Sequence, residues 1–479
     1  VIDIRKFERE SELADVRGIA LRAGWIATTL LTLAGVAQAQ MTPSNKTGPD
    51  VKNDSLTWNG ITLYGLIDIG LQYDTHSAPF SDYHPAGSSN IVQKYSRQSA
   101  FGATPSNMGQ SRIGLQGDEP IVGDWSAVFR VETFFNPQSG EISDAEKSMV
   151  LNNGKSAAQQ GVNLDSSVAG QAFETLYAGV SSKTYGSFTF GRQLTLLGDG
   201  INKYDPNYGS QAFSLIGMSG TYAGGGDTED KRVDNSLKYY GTYMGLVHFG
   251  AMYKFNNSNG GANSLTQADI GAEYAGASLD AYYAKAKSAI SLSPLSATQV
   301  GELPTLGYAI SNSLSGTISD NTTFSVMGFY KFDPFKFLFG YEHIKYANPA
   351  NPLSAGFIDI GGYNVAFVNN NAFPNAKVLD VYWAGVRYTV IPHLDLTGAY
   401  YGYHQNAYGT GANAGCSTNV SGTCSGDYID FSFDADYQLT KRFDVYAGAM
   451  YSGVRGGAAN GYLYERTNIN PTIGVRFKF

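Results

Sequence analysis

The closing stretch Pro471-Thr-Ile-Gly-Val-Arg-Phe-Lys-Phe479 alternates strictly with a period of two. Ile473, Val475, Phe477 and Phe479 fall on one face, and Thr472, Gly474, Arg476 and Lys478 on the other, as the pleat of a β-strand requires. A strand of a soluble sheet can show the same pattern. Here it recurs along most of the chain, and no long apolar run appears after about residue 40. That combination reads as all-β: a transmembrane antiparallel β-barrel that closes on its C-terminal strand.

Working outward from the C-terminus, Tyr428 to Leu439 repeats the rule, with Ile429, Phe431, Phe433 and Tyr437 opposing Asp430, Ser432, Asp434 and Asp436. At the other end, Ile61, Leu63, Ile67, Ile69, Leu71 and Tyr73 share a face, while Thr62, Tyr64, Asp68 and Gln72 take the other together with Leu66. An acid in the middle of that second face says it meets water. Ile113 and Leu115 oppose Arg112 and Gln116, and Phe129, Val131 and Thr133 oppose Arg130 and Glu132. Charges at alternate mid-strand positions are too costly to face lipid and must line a cavity.

The pattern places strands over Gly60–Tyr73, Gln110–Asp118, Trp125–Phe135, 172–182, 186–194, 231–241, 245–255, 265–275, 277–287, 322–332, 335–346, 377–389, 393–406, 427–439, 441–453 and 468–479, sixteen in all. In 377–389 Asp380 and Arg387 fall on opposite faces, so one of them is expected at a membrane edge. Connections alternate in length. Turns at 119–124, 183–185, 242–244, 276, 333–334, 391–392 and 440 are short. Long polar connections lie at 74–109, 136–171, 195–230, 288–321, 347–376, 407–426 and 454–467, with a shorter one at 256–264. Outer-membrane barrels keep turns short on the periplasmic side and loops long outside, which orients the chain.

Composition agrees. Of 479 residues, 57 are Gly, 33 Tyr and 26 Phe, which suits strands, turns and an interfacial aromatic girdle. The mean hydropathy of −0.20 would suggest a soluble protein, but in a barrel only alternate residues touch lipid. The one continuous apolar stretch, Gly24 to Ala39, follows Arg17 and Arg22 and ends in Ala37-Gln-Ala39, the pattern of a secretory signal cut after Ala39. Residues 1–39 are therefore expected to be removed. Residues 40–58 read as a flexible lead-in, and 59–479 as the barrel. A net charge of −8 and the lack of a basic stripe argue against nucleic acid as partner. The two cysteines, Cys416 and Cys424, lie in a polar segment without nearby histidines; export favours a small-loop disulfide over a metal site.

Several phrases, in order and at spacings that span nearly all of residues 61–479, carry a resemblance. They are Ile61-Thr-Leu-Tyr-Gly-Leu-Ile-Asp68, Ser111-Arg-Ile-Gly-Leu-Gln-Gly117, Leu176-Tyr-Ala-Gly-Val-Ser-Ser182, Gly186-Ser-Phe-Thr-Phe-Gly-Arg-Gln193, Arg232-Val-Asp-Asn-Ser-Leu-Lys-Tyr239, Asp436-Tyr-Gln-Leu-Thr-Lys-Arg442 and the terminal Phe479. The chain resembles the general porins of Gram-negative outer membranes, especially the beta-proteobacterial type. The resemblance implies sixteen strands, a homotrimer in outer-membrane lipid, and a water-filled pore in each protomer for small hydrophilic solutes and ions. It implies no cofactor and no catalysis. It also implies that the third long loop, here about 194–231, folds into the pore, with acids that face basic residues on the opposite wall.

Position and parity together assign Arg112 and Arg232 to that wall, and alternation alone puts Arg130 and Glu132 inward. Glu174 stands where the family often has a base. Asp199 and Asp205 are the expected eyelet acids, with Asp227, Glu229 and Asp230 near the loop's return. An acid at position 174 and an acidic chain point to a weak preference for cations. Tyr204, Tyr208, Phe213 and Tyr222 on the loop suggest an alternative, a solute-selective channel with an aromatic or sugar track, against the plainer reading that they pack the loop. A surface adhesin or receptor acting through its long loops is a more distant alternative. An enzyme barrel finds no support in the six histidines, none of which has metal-clamp spacing or a sequence link to a nucleophile.

Overall fold

The computed structural model describes residues 56–76, 99–138, 140, 142, 173–216, 232–255, 264–295, 297–310, 313–354, 356, 364–417, 421–462 and 464–479. The expected signal segment, Tyr222 and the acids Asp227, Glu229 and Asp230 lie outside these residues. In chain order the strands are β1 Leu56–Trp58, β2 Ile61–Asp74, β3 Ala100–Pro105, β4 Arg112–Val122, β5 Trp125–Phe134, β6 Thr175–Ser182, β7 Gly186–Leu194, β8 Arg232–Tyr243, β9 Val247–Lys254 and β10 Ser264–Tyr274. They continue as β11 Ala277–Pro294, β12 Ser313–Phe332, β13 Phe335–Ala347, β14 Asn364–Asn369, β15 Lys377–Ile391, β16 Leu394–Gln405, β17 Gly426–Gln438, β18 Phe443–Gly456, β19 Thr467–Ile469 and β20 Thr472–Lys478.

Sixteen of these, namely β2, β4 to β13, β15 to β18 and β20, form a closed antiparallel barrel. The closing stretch does what its alternation predicts: β20 lies between β18 and β2, registered from Leu66↔Lys478 to Gln72↔Thr472. Phe479 completes the seam by exchanging backbone hydrogen bonds with Gly65, at 2.9 and 3.1 Å.

Polarity is inverted relative to a soluble protein. Ile67, Leu71, Tyr73, Phe249, Phe337 and Phe433 are exposed on the outer face, while Asp68, Gln72, Glu132, Asp280 and Asp434 are buried inside. Closure satisfies every ladder without leaving an edge in lipid, which is why a sheet can span where an open one cannot. Turns between paired strands take two to four residues at one end, and the long connections all leave from the other.

Three boundaries differ from the sequence reading. The end of the lead-in is a strand: Asn59 and Gly60, at φ 46° and 77°, make a tight hairpin that pairs Leu56 with Leu63 and Trp58 with Ile61. Residues 288–321 are not all loop, because β11 and β12 continue outward as a hairpin through a register shift between Ala286 and Ala289. Their outer halves carry a short apolar alternation, with Ile290 opposite Ile318 and with Leu314 and Ile318 buried, which the sequence reading assigned to the loop. β14 then pairs in parallel with the outer end of β12. In β15, Arg387 is the inward residue. Asp380 is on the outer face near the extracellular end, accepting hydrogen bonds from Tyr341 Oη at 2.7 Å and His343 Nδ1 at 2.8 Å. Cys416 and Cys424 are disulfide-bonded, with Cα atoms 4.9 Å apart.

Candidate functional site

The barrel interior is narrowed by the connection between β7 and β8, described over 195–216. It begins with a helix, α1, Leu196–Tyr204, capped by Thr195, whose Oγ1 accepts from Gly198 N at 2.9 Å. Leu196, Leu197, Ile201 and Tyr204 are buried and pack on inward side chains of the wall, Met252, Leu265, Tyr282, Met327 and Trp383. Gln267 Oε1 accepts from the first helical amides, Leu196 N at 2.8 Å and Leu197 N at 3.3 Å. The loop is thus held by an apolar stripe and by its own free N–H groups.

After α1 the loop is tied to the wall strand by strand. Trp383 Nε1 donates to Tyr204 O at 3.0 Å, and Arg387 donates to Pro206 O and Tyr208 Oη. Asn207 Nδ2 reaches Ser432 Oγ at 2.9 Å, and Asn470 Nδ2 donates to Ala212 O at 2.9 Å. Finally Gln211 N and Ala212 N donate to Asn107 O at 3.0 and 2.9 Å. The chain therefore runs round the inside of the barrel from the β7–β8 side to the corner between β3 and β4.

On the wall beside α1's entry, where Arg232 is registered opposite Leu194, β4, β5 and β8 bring three guanidinium groups to one carboxylate. Glu132 Oε2 is 2.7 Å from Arg130 Nη2 and 3.6 Å from Arg112 Nε, and Glu132 Oε1 is 3.7 Å from Arg232 Nη2. Tyr64 Oη donates to Glu132 Oε2 at 3.0 Å and accepts from Arg130 Nε at 2.6 Å. Register explains the convergence. Gly114 stands opposite both Tyr64 and Glu132, and a Cβ there would lie 2.4 Å from the Tyr64 ring. Only glycine lets the two inward side chains meet across its strand.

A closed sixteen-stranded barrel, a connection folded into its lumen and a basic wall facing it form one architecture, and similarity to known proteins gives it a family. The Gram-negative porin family matches residues 27–457. The chain belongs to that family. An outer membrane porin protein of Bordetella pertussis is 23% identical over 451 residues, covering 88% of this chain and 94% of the relative. Among solved structures, the anion-selective porin from Comamonas acidovorans superposes with a TM-score of 0.56 at 17% identity, covering 88% of this chain and 99% of that one. OmpT of Vibrio cholerae does so at 0.54 and 16%, covering 89% and 100%. The protein is an outer-membrane channel.

Within this porin, Arg112, Arg130, Arg232 and Glu132 converge on one another. Glu174 borders them, its N–H donating to Glu132 O at 2.9 Å. Thr175 is the residue registered opposite Glu132, and Glu174, one place before β6, is fully buried 3.4 Å from Arg192 Nη2. Asp199 sits on α1 beside Lys238 of β8, which also donates to Leu194 O at 2.9 Å. Asp205 is corrected: it is fully buried and lines nothing. As the cap of α1 it accepts from Tyr401 Oη at 2.7 Å, Asn207 N at 3.1 Å and Gly209 N at 2.5 Å. Tyr204 and Phe213 are packing residues against Phe329 and Tyr446, and Tyr208 alone of the described loop aromatics is exposed.

Two basic residues escaped the sequence reading. Strict alternation after the outward Phe188 and Phe190 assigns Arg192 to lipid. It stays registered opposite the outward Leu176, but beside it β8 carries an extra residue between Val233 and Ser236, and the guanidinium there reaches Glu174 at 3.4 Å and Asp234 at 2.7 Å. Lys238 does alternate inward between Leu237 and Tyr239, but nothing in the sequence ties it to Asp199.

Proposed function

We propose that this porin passes small hydrophilic solutes and ions by passive diffusion, without catalysis, as a homotrimer, and that its narrow region prefers anions weakly. One observation carries the selectivity. Three guanidinium groups converge on one carboxylate, so within that cluster bases outnumber acids. Between low-dielectric walls such a surplus weighs more than charges on outer loops, where salt screens within about 10 Å. Against the cation preference expected from Glu174 stands the burial of its carboxylate beside Arg192. A sugar or aromatic track has little left to rest on once Tyr204 and Phe213 are engaged in packing.

In planar bilayers the protein should give stepwise ohmic conductance and, under a KCl gradient, a reversal potential on the anion side of zero. Arg112→Gln should move that potential toward cations and Glu132→Gln further toward anions. Folded protein that never conducts would sink the channel reading. A reversal potential on the cation side would sink the arginine reading alone.

A further inference from the structure

Across the barrel from the arginines around Glu132, three further bases stand in one register row on the inner face. Lys331 of β12 is opposite Lys336 of β13, and Lys336 is opposite Arg387 of β15. These are the tenth, eleventh and twelfth of the sixteen strands, whereas Arg112 and Arg130 lie on the second and third. Lys331, beside the periplasmic turn, pairs with Asp333 at 3.2 Å. Among the described residues no carboxylate lies within ion-pair distance of Lys336 or Arg387.

The acids of this region are taken by other groups. Asp205, next to Pro206, accepts from Tyr401 Oη and from two loop amides, and Glu273 is 3.5 Å from Lys203. Asp434 lies further along the same row, beyond Thr397 and so two strands away, at about 10 Å. Each of the two cations sits instead on a ring. Lys336 Nζ is 3.9 Å from the centroid of Phe329, and Arg387 Cζ is 3.7 Å from that of Tyr208. This differs in kind from the cluster around Glu132. A carboxylate cancels the charge of a guanidinium, whereas a π-face compensates part of its lost hydration and leaves the charge whole.

The backbone at Tyr208 shows that its ring is held in place. It is left-handed at φ 55° and is followed by Gly209 at φ 69°, a conformation that costs a tyrosine free energy and persists only where the surroundings impose it. Tyr208 N donates to Asp205 O at 3.2 Å, and Arg387 donates to both Pro206 O and Tyr208 Oη. On the wall, Gly385 lets Pro206 come close, since a Cβ there would lie 2.4 Å from the Pro206 ring. The result is a ring that is 55% exposed over a guanidinium residue that is 6% exposed.

We propose that Tyr208 is a specificity-determining residue of the pore: its ring caps Arg387, whose charge nothing cancels, and sets how closely a passing anion approaches that charge. This rests on the anion preference argued above and adds a second element of selectivity on the opposite wall. In an aqueous gap between low-dielectric walls, an uncancelled charge acts on every ion that passes. Removing the ring has two effects of opposite sign. Widening alone weakens selectivity and draws the reversal potential toward zero, whereas uncovering Arg387 drives it toward anions.

The test is a double-substitution cycle on the full chain refolded in detergent and inserted into planar bilayers, read as reversal potential under a KCl gradient. Tyr208→Ala should raise conductance and shift the potential further toward anions, and Tyr208→Phe, which keeps the ring, should not give that shift. Arg387→Gln and Arg387→Met are both made, so that one folded neutral variant suffices. In that background Tyr208→Ala should still raise conductance but draw the potential toward zero. The anion preference of the parent is judged by the sign of its own potential, and the cap only by the difference between the two Tyr208→Ala shifts. A shift that is further toward anions with Arg387 present supports the cap. Equal shifts in the two backgrounds, or one further toward anions without Arg387, would overturn it.

Discussion

The carboxylate of Asp68 is fully buried on the inner face of β2 and is divided between two tasks. Its Oδ2 accepts from Met108 N and Gly109 N, each at 2.8 Å, and its Oδ1 accepts from Tyr446 Oη at 2.5 Å. Those amides belong to the corner between β3 and β4, where Ser106 takes φ 61° and Asn107 O holds the end of the pore loop. One inward acid thus fixes the corner that fixes the loop. Asp68→Ala leaves two amides and a phenol unsatisfied, at about 3 kcal/mol. The expected result is a lower unfolding temperature on heat-modifiability gels together with flickering single-channel current; a quiet channel of unchanged stability would refute the linkage. Alternation identifies Asp68 as inward and polar, but face is all that parity reports. Its partners come from residues about 40 and 378 positions away, a separation no local pattern encodes.

The loop between β7 and β8 shows the same division at the level of an element. Its two expected eyelet acids have different tasks, Asp199 pairing with a wall lysine and Asp205 ending a helix. This yields a contrast. Asp205→Ala orphans Tyr401 Oη and two loop amides, at about 3 kcal/mol, and should raise the mean conductance and its noise while leaving the reversal potential in place. Asp199→Asn frees Lys238 and should shift the reversal potential toward anions with little added noise. Both substitutions acting alike would mean that the two acids share a role.

The strands on either side were legible because lipid and water impose opposite demands on alternate residues, and that demand is local. The loop was not legible, because its course is set by Gln267, Trp383, Asn107 and Asn470, which only the closed barrel brings inside. Arg192 fell between the two cases. It lies in a strand and keeps its parity, but its partners come from the residue before β6 and from a bulge in the neighbouring β8, which the alternation of β7 does not report.

Around the whole molecule the outer face is not uniform. On β20, β2, β4 and β6 it is mostly aliphatic: Ile473 and Val475, then Ile67, Ile69 and Leu71, then Ile113 and Leu115, then Leu176. On β12, β13 and β17 it is aromatic, with Phe324, Tyr330, Phe337, Phe339, Phe431 and Phe433. Aromatic rings at the wall suit lipid and its interface, whereas short side chains of even height offer a second wall a surface to pack against. If three protomers associate, the aliphatic arc centred on the β2–β20 seam is the surface that meets the neighbours. Ile67→Gln with Val475→Gln, placed mid-wall on that arc, should then reduce the trimer to monomer in mild detergent by native mass measurement. Phe337→Gln with Phe433→Gln, at comparable depth on the far side, should leave the trimer intact although it disturbs as much lipid-facing surface. Equal loss of trimer from both pairs would show that the effect comes from weakening the barrel, and loss from the aromatic pair alone would move the interface to the opposite wall.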